Sequence, residues 1–188
     1  MSEPPARLHL LLGPVGAGKS TLARQLSREH RAIALILDDW MARLYGADER
    51  PPTGRIAWYL ERRDRCLAQI WDLADNLCAR GTTVILEIGL IRRDERAAFY
   101  RRIDDAGHPL TVHLLDAPRE LRRARVMRRN EEQGETFAQH VPLEFFELAS
   151  DMWEPPDDAE RRERNIVGGL DGLDGLDGPI NPANPGQH

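Results

Sequence analysis

The sequence predicts an α/β domain in which a parallel sheet carries helices on both faces, with an arginine-rich helical lid. Three observations point to it. Short apolar runs alternate with longer segments of helical periodicity. The first run passes through a glycine-rich turn straight into a helix. The further runs, Ile33 to Leu37 and Thr82 to Ile88, are likewise apolar or β-branched, and strands alternating with helices imply a parallel sheet covered on both faces. At 188 residues, 41% hydrophobic and 30% charged, the chain has the size and composition of one folded domain.

The first strand is Leu8 to Leu12, followed by Gly13-Pro-Val-Gly-Ala-Gly-Lys-Ser20 and a helix with Leu22, Ala23 and Leu26 on one side. A second apolar run, Ile33 to Leu37, ends in Asp38-Asp39-Trp40, and a Pro51-Pro52-Thr53-Gly54 break follows an aromatic segment that reads as a substrate-side insertion. Between Arg55 and Arg80, Ile56, Leu60, Leu67, Ile70, Ala74 and Leu77 fall at helical spacing, and Gly81 stands where a helix stops. Thr82 to Ile88 reads as a strand, Arg92 to Ala106 as a helix stopped by Gly107, and Thr111 to Leu115 as another strand. An arginine-rich helix follows Pro118 to about Asn130, a short helix spans Pro142 to Met152, and Arg164 to Val167 closes the domain as a last strand.

Residues 1–167 therefore form the domain, and 168–188 a disordered tail. Gly169 to Gly178 is three Leu-Asp-Gly units followed by Pro179, Pro182 and Pro185, without a periodicity that could bury a face. The nine-residue period of calcium-binding glycine-aspartate repeats is absent. Deleting 169–188 is expected to leave the melting temperature unchanged, since nothing there offsets an ordering cost of ~1–2 kcal/mol per residue. A melting temperature several degrees lower in the truncated protein would contradict this.

Other readings are excluded by composition. The longest apolar run, Ala32 to Leu37, is far short of the ~20 residues of a membrane span. The first residues carry no export signal, so the expected location is cytoplasmic. Cys66 and Cys78 lie within one helical segment, with neither disulfide nor zinc-ligand spacing. Residues 1–167 hold 26 basic and 28 acidic residues, a net charge of −2, so the domain lacks the broad basic surface that tracks a nucleic acid backbone.

Of the 26 basic residues, 25 are arginine and one, Lys19, is lysine. A lone lysine marks a place where a compact ammonium on a flexible stem serves and a planar fork does not. It lies in Gly13 to Ser20, which satisfies G-x-x-x-x-G-K-S/T between a strand and a helix. There, the backbone of Gly13, Pro14, Val15, Gly16, Ala17 and Gly18, with Lys19, Ser20 and Thr21, forms a phosphate cradle. Lys19 reaches the β/γ-phosphates and the Ser20 hydroxyl ligates Mg²⁺. The Asn-Lys-x-Asp box of guanine-specific proteins needs a second lysine, which leaves ATP as the expected nucleotide.

Asp38 and Asp39 follow the second strand, at the carboxyl edge where ligands of open α/β sheets bind. Either could be a Mg²⁺-associated acid or the base that takes a proton from an acceptor hydroxyl, or could simply cap the helix beginning near Trp40. Glu87, ending Val84-Ile-Leu-Glu87, reads as a holder of Mg²⁺-bound water, an acceptor contact, or a solvated strand end. Arg122, Arg125 and Arg129 share one helical face, where a polyphosphate would relieve their repulsion; Glu131, Glu132 and Glu135 are the alternative partners. Trp40, Tyr45, Trp58 and Tyr59, among Arg43, Arg50 and Arg55, either stack a base or sugar or pack helices.

The segments Gly13-Pro-Val-Gly-Ala-Gly-Lys-Ser-Thr-Leu-Ala-Arg24, Leu37-Asp-Asp-Trp40, Val84-Ile-Leu-Glu87 and the arginine-rich helix after Leu114-Leu-Asp-Ala-Pro118 resemble a group of small P-loop kinases. That group joins phage polynucleotide 5′-hydroxyl kinase, zeta-toxin-type sugar-nucleotide kinases and chloramphenicol phosphotransferase, and the resemblance covers residues 7 to about 135. It implies that Asp38 activates the acceptor and that Arg125 and Arg129 are the lid arginines. Two positions depart from it, Met41 where the group often has arginine and Glu87-Ile88-Gly89 where it has D-T/A/S-N/T. Both touch acceptors, so the resemblance names no substrate.

The expected activity is Mg²⁺-ATP-dependent transfer of the γ-phosphate to a hydroxyl of a small-molecule or nucleotide-like acceptor. A polynucleotide 5′-hydroxyl acceptor is the runner-up, and a regulatory ATPase or nucleotide-dependent binding module the reading from another class. A deep cleft beside the γ-phosphate position favours transfer to an acceptor, and a flat surface favours the switch.

Overall fold

The computed structural model describes residues 7–134, 137–138 and 140–168. Its elements run β1 (Leu8–Leu12), α1 (Lys19–Glu29), β2 (Ile33–Ile36), α2 (Leu37–Tyr45), α3 (Arg55–Ala79), β3 (Val84–Glu87), α4 (Arg93–Ala106), β4 (Leu110–Leu114), α5 (Arg119–Glu132), α6 (Leu143–Asp151) and α7 (Asp158–Glu163). The four strands are parallel in the order β2-β3-β1-β4. The tail proposed for 168–188 lies outside the described residues apart from Gly168.

Burial follows the two-residue period of the strands. Leu8, Leu10, Leu12, Val84, Leu86 and Val112 face one side, where they join Cys66, Ile70, Trp71 and Ala74 of α3 and Tyr100 and Ile103 of α4. Leu11, Ile85 and Ile36 face the other side and meet Ala23 and Leu26 of α1. A sheet covered on both faces needs strands that are apolar throughout, which is the pattern read from the sequence. Both cysteines are buried and free. Among the described residues no helix is long and apolar enough to cross a membrane.

Two expectations are corrected. The run Ile33 to Leu37 gives its last residue to a helix: α2 starts at Leu37, directly after the strand, with Ile36 as its uncapped N-terminal flank. Neither Asp38 nor Asp39 is a cap; both lie in the first turn, where the helix dipole favours a carboxylate. At the other end, Arg164 to Val167 is no strand. Val167 makes an isolated parallel bridge to His113, preceded by the one-and-a-half-turn helix α7. That helix buries no residue, so no periodicity announces it, and the Asp157 side chain, accepting from the Glu160 N–H at 2.8 Å, secures its start.

On the α1 face, His9 of β1 and His113 of β4 share a hydrogen bond of 2.9 Å, and His30, at the end of α1, stacks on His9 at 5.4 Å between ring centres. Burial, with the neighbouring His113, lowers the His9 pKa from 6.5 to about 4. A depressed folded-state pKa adds stability above pH 6.5 that is lost as pH falls toward 4. Thermal melts across this range are expected to show a steep decline that His9→Gln flattens; parallel curves for the two proteins would refute it.

Candidate active site

The strand order places the carboxyl ends of β1, β3 and β2 side by side, and each leads into a piece of the site. From β1 comes the loop Gly13–Gly18. Gly13 has φ +146°, and a Cβ there would stand 2.2 Å from the Leu115 carbonyl oxygen; Gly16 has φ +79°, and a Cβ would stand 2.7 Å from the Arg122 carbonyl oxygen. The loop is thus wedged between the end of β4 and α5, and only glycine fits at either point. Arg122 completes the wedge by donating to the Val15 carbonyl at 3.0 Å and to the Ala117 carbonyl at 2.9 Å.

Lys19, the first residue of α1, donates from Nζ to the carbonyls of Gly13 and Pro14, both at 2.9 Å. Its ammonium is 4.0 Å from Glu87 Oε1, while Ser20 Oγ donates to Glu87 Oε2 at 3.1 Å. Glu87 is buried, which removes the solvated strand end from consideration. Burial pushes its carboxyl above the ordinary range, with Lys19 pulling it back, and burial likewise lowers the Lys19 ammonium against the pull of Glu87 and Asp38. Asp38, from α2, completes the group: burial raises its pKa, while Lys19 and Arg129 draw it down.

The loop, Lys19, Ser20, Thr21, Asp38, Glu87, Arg125 and Arg129 line one cleft of about 1080 Å³. Gly13 and Pro14 lie behind its wall and contribute the carbonyls that hold Lys19. Arg125 and Arg129, one helical turn apart on α5, face the cleft together, and Arg129 Nε is buried with no hydrogen-bond partner among the described residues.

Three sequence expectations change here. Asp39, expected on the acceptor side, does not line the cleft; its carboxylate turns toward Arg24 Nη2 of α1, 4.0 Å away. The shared arginine face is divided, since Arg122 is buried against the loop and only its two neighbours reach the cleft. The carboxylates opposing the arginine helix are only in part those expected. Glu147 of α6 pairs with Arg119 and Arg123, Arg128 stands 4.0 Å from Glu132, and Glu135 lies outside the described residues. The aromatics divide their duties: Trp40, Tyr45 and Tyr59 pack against the main core, while Trp58 and Tyr59 also line the cleft.

The far wall of the cleft could not be read from the sequence. It includes Phe145, Leu148 and Ala149 of α6, Met152 just after it and Ile91 after β3. Ile91 is held by Arg96, fully buried, which donates to the Ile91 carbonyl at 3.4 Å, to the Glu154 carbonyl at 2.7 Å and to both Glu160 oxygens at 2.6 and 2.8 Å. No local signal marks a contact spanning 58–64 residues.

A parallel sheet with a glycine phosphate loop between its first strand and first helix defines a P-loop NTPase fold. Residues 8–156 match the model of a family described as an AAA domain, and the chain belongs to that family, one of P-loop kinases. No curated protein is significantly similar in sequence.

Solved structures share the fold. A putative kinase from Chloroflexus aurantiacus superposes with a TM-score of 0.65 at 14% identity, covering 82% of this chain and 80% of that one. Kti12 from Chaetomium thermophilum, solved with ADP-AlF3, gives 0.59 at 20% identity over 84% and 94%. A chain of the Pnkp1/Rnl/Hen1 RNA repair complex gives 0.60 at 21% identity over 80% of this chain; this chain spans 45% of its length.

Proposed function

We propose that the protein is a Mg²⁺-ATP-dependent phosphotransferase acting on a hydroxyl of a small-molecule or nucleotide-like acceptor. The observation that carries the proposal is the cleft itself. Beyond the phosphate loop and Asp38 it continues between the start of α3 and α6, giving an acceptor a walled site rather than a flat surface. A switch that transfers phosphate only to water has no need of such a wall.

The residues divide the work as follows. Backbone N–H groups of Val15 to Gly18 and the N-terminus of α1 bind phosphate oxygens. Lys19, released from the Gly13 and Pro14 carbonyls, carries its charge to the β/γ-phosphates. Ser20 and Glu87 set two oxygen donors side by side, a donor set suited to a hard cation. Ser20 and Glu87 would hold Mg²⁺ there, and the cation would neutralise charge on the transferring phosphoryl group. Asp38, half-buried across from Lys19, takes the acceptor proton; its raised pKa makes it a stronger base than a free carboxylate. Arg125 and Arg129 approach from α5 and stabilise the charge spread over the equatorial oxygens.

ATP consumption measured against pooled sugars, small alcohols, nucleosides and 5′-hydroxyl oligonucleotides, with products identified by mass, tests the proposal. A phosphorylated organic product supports it. An ATPase rate that no pool alters, with no ester formed, would replace it with the regulatory ATPase.

A further inference from the structure

Five of the large apolar side chains that the protein leaves exposed, Ile56, Leu60, Phe145, Leu148 and Met152, are each 40–66% exposed and all line the same cleft. They come from α3 and from α6 with Met152 just after it, which face each other across the cleft, and the Tyr59 ring meets Phe145 edge-on at 6.2 Å. Exposed apolar residues concentrated on one concavity mark a binding surface.

The polar side chains of this half are largely committed. Arg63 donates to Glu95 at 2.6 Å, and Arg92 to Asp94 at 3.1 Å. A polyol needs convergent donors and acceptors at every hydroxyl, and this wall does not supply them. Arg50 and Arg55, by contrast, flank the Pro-Pro break, line the cleft and make no hydrogen bond or ion pair among the described residues; the exposed Asp64 lines the same cleft. Arg55 stands one turn before Tyr59 on α3, about 6 Å along the axis. Tyr59 lines the same cleft as Asp38, whose helix α2 packs against α3. One cleft therefore holds the Asp38 carboxylate, the apolar face and the two cations.

We infer that the acceptor is an amphipathic anion, an alcohol on an apolar, ring-sized body whose opposite end carries a carboxylate or phosphate. Its hydroxyl sits at Asp38, its body lies between α3 and α6, and its charge meets Arg50 and Arg55. This inference rests on the acceptor site of the proposed phosphotransferase, and binding can be measured apart from transfer.

Calorimetric titration of the full-length chain with 6-(hydroxymethyl)naphthalene-2-carboxylate, with its uncharged counterpart naphthalen-2-ylmethanol, and with gluconate tests it. The aryl carboxylate is expected to bind at least tenfold more tightly than either of the others. Arg50→Ala with Arg55→Ala, both at exposed positions, should erase the advantage of the carboxylate over the uncharged aryl alcohol at unchanged melting temperature. Leu148→Asp should weaken both aryl compounds. Equal affinities, preference for gluconate, or no saturable binding of the aryl carboxylate would overturn the inference. Phosphorylation of the bound compounds is followed separately: selective binding without transfer leaves the ligand class standing and removes the phosphotransferase reading.

Discussion

Lys19→Ala is expected to abolish phosphoryl transfer, lowering turnover by ~100-fold or more, since losing a preorganised contact to developing charge costs about 3 kcal/mol or more. Lys19→Arg should fail nearly as badly. The ammonium is buried, held between two loop carbonyls at 2.9 Å and facing Glu87 at 4.0 Å, and a longer planar fork cannot occupy that space as a point donor. Lys19→Ala leaves Glu87 and Asp38 without their main counter-charge and Lys19→Arg crowds the site, so turnover is to be read beside a thermal melt showing that the fold persists. Wild-type turnover in a folded Lys19→Ala protein would sink the nucleotide-site assignment.

The second large effect separates Asp38 from the arginines of α5. Asp38→Asn is expected to leave ATP affinity nearly intact while cutting transfer ~100-fold or more, as general-base catalysis contributes about 10²–10⁴. Arg129→Ala should lower transfer by up to ~10³, and its effect should extend to background hydrolysis, because charge on the phosphoryl group develops whichever nucleophile attacks. Asp38→Asn should spare that background, since water needs less help than a buried hydroxyl. Hydrolysis and transfer rates in the two variants, with and without acceptor, give the comparison. Loss of Mg²⁺-ATP affinity in Asp38→Asn would make Asp38 a metal-site acid and favour the regulatory ATPase.

The sequence was legible where chemistry is local. The order of strands and helices as far as α6, the long helix α3 and the loop ahead of α1 follow from periodicity and glycine placement over a few residues. Asp38 and Glu87 follow from position at strand ends, because a parallel sheet collects those ends at one edge. Illegible were the features set by packing between distant segments. Asp39 and Asp38 are equivalent in sequence, and only the helical turn sends one to Lys19 and the other to Arg24. Arg122 and Arg125 lie on one helix face, yet one is buried against the loop because β4 delivers α5 directly onto Gly16. Helix α6 gives the cleft its apolar wall through contacts with α3 that no spacing announces.

The central claim is that the cleft delivers phosphate to an acceptor, and the fate of the γ-phosphoryl group measures it most directly. With ATP labelled in that group and Mg²⁺ present, the label is expected to partition into an organic phosphate ester when acceptors are supplied, and Asp38→Asn should return it to inorganic phosphate. Label found only in inorganic phosphate, at the same rate with every acceptor and in both proteins, would contradict the account.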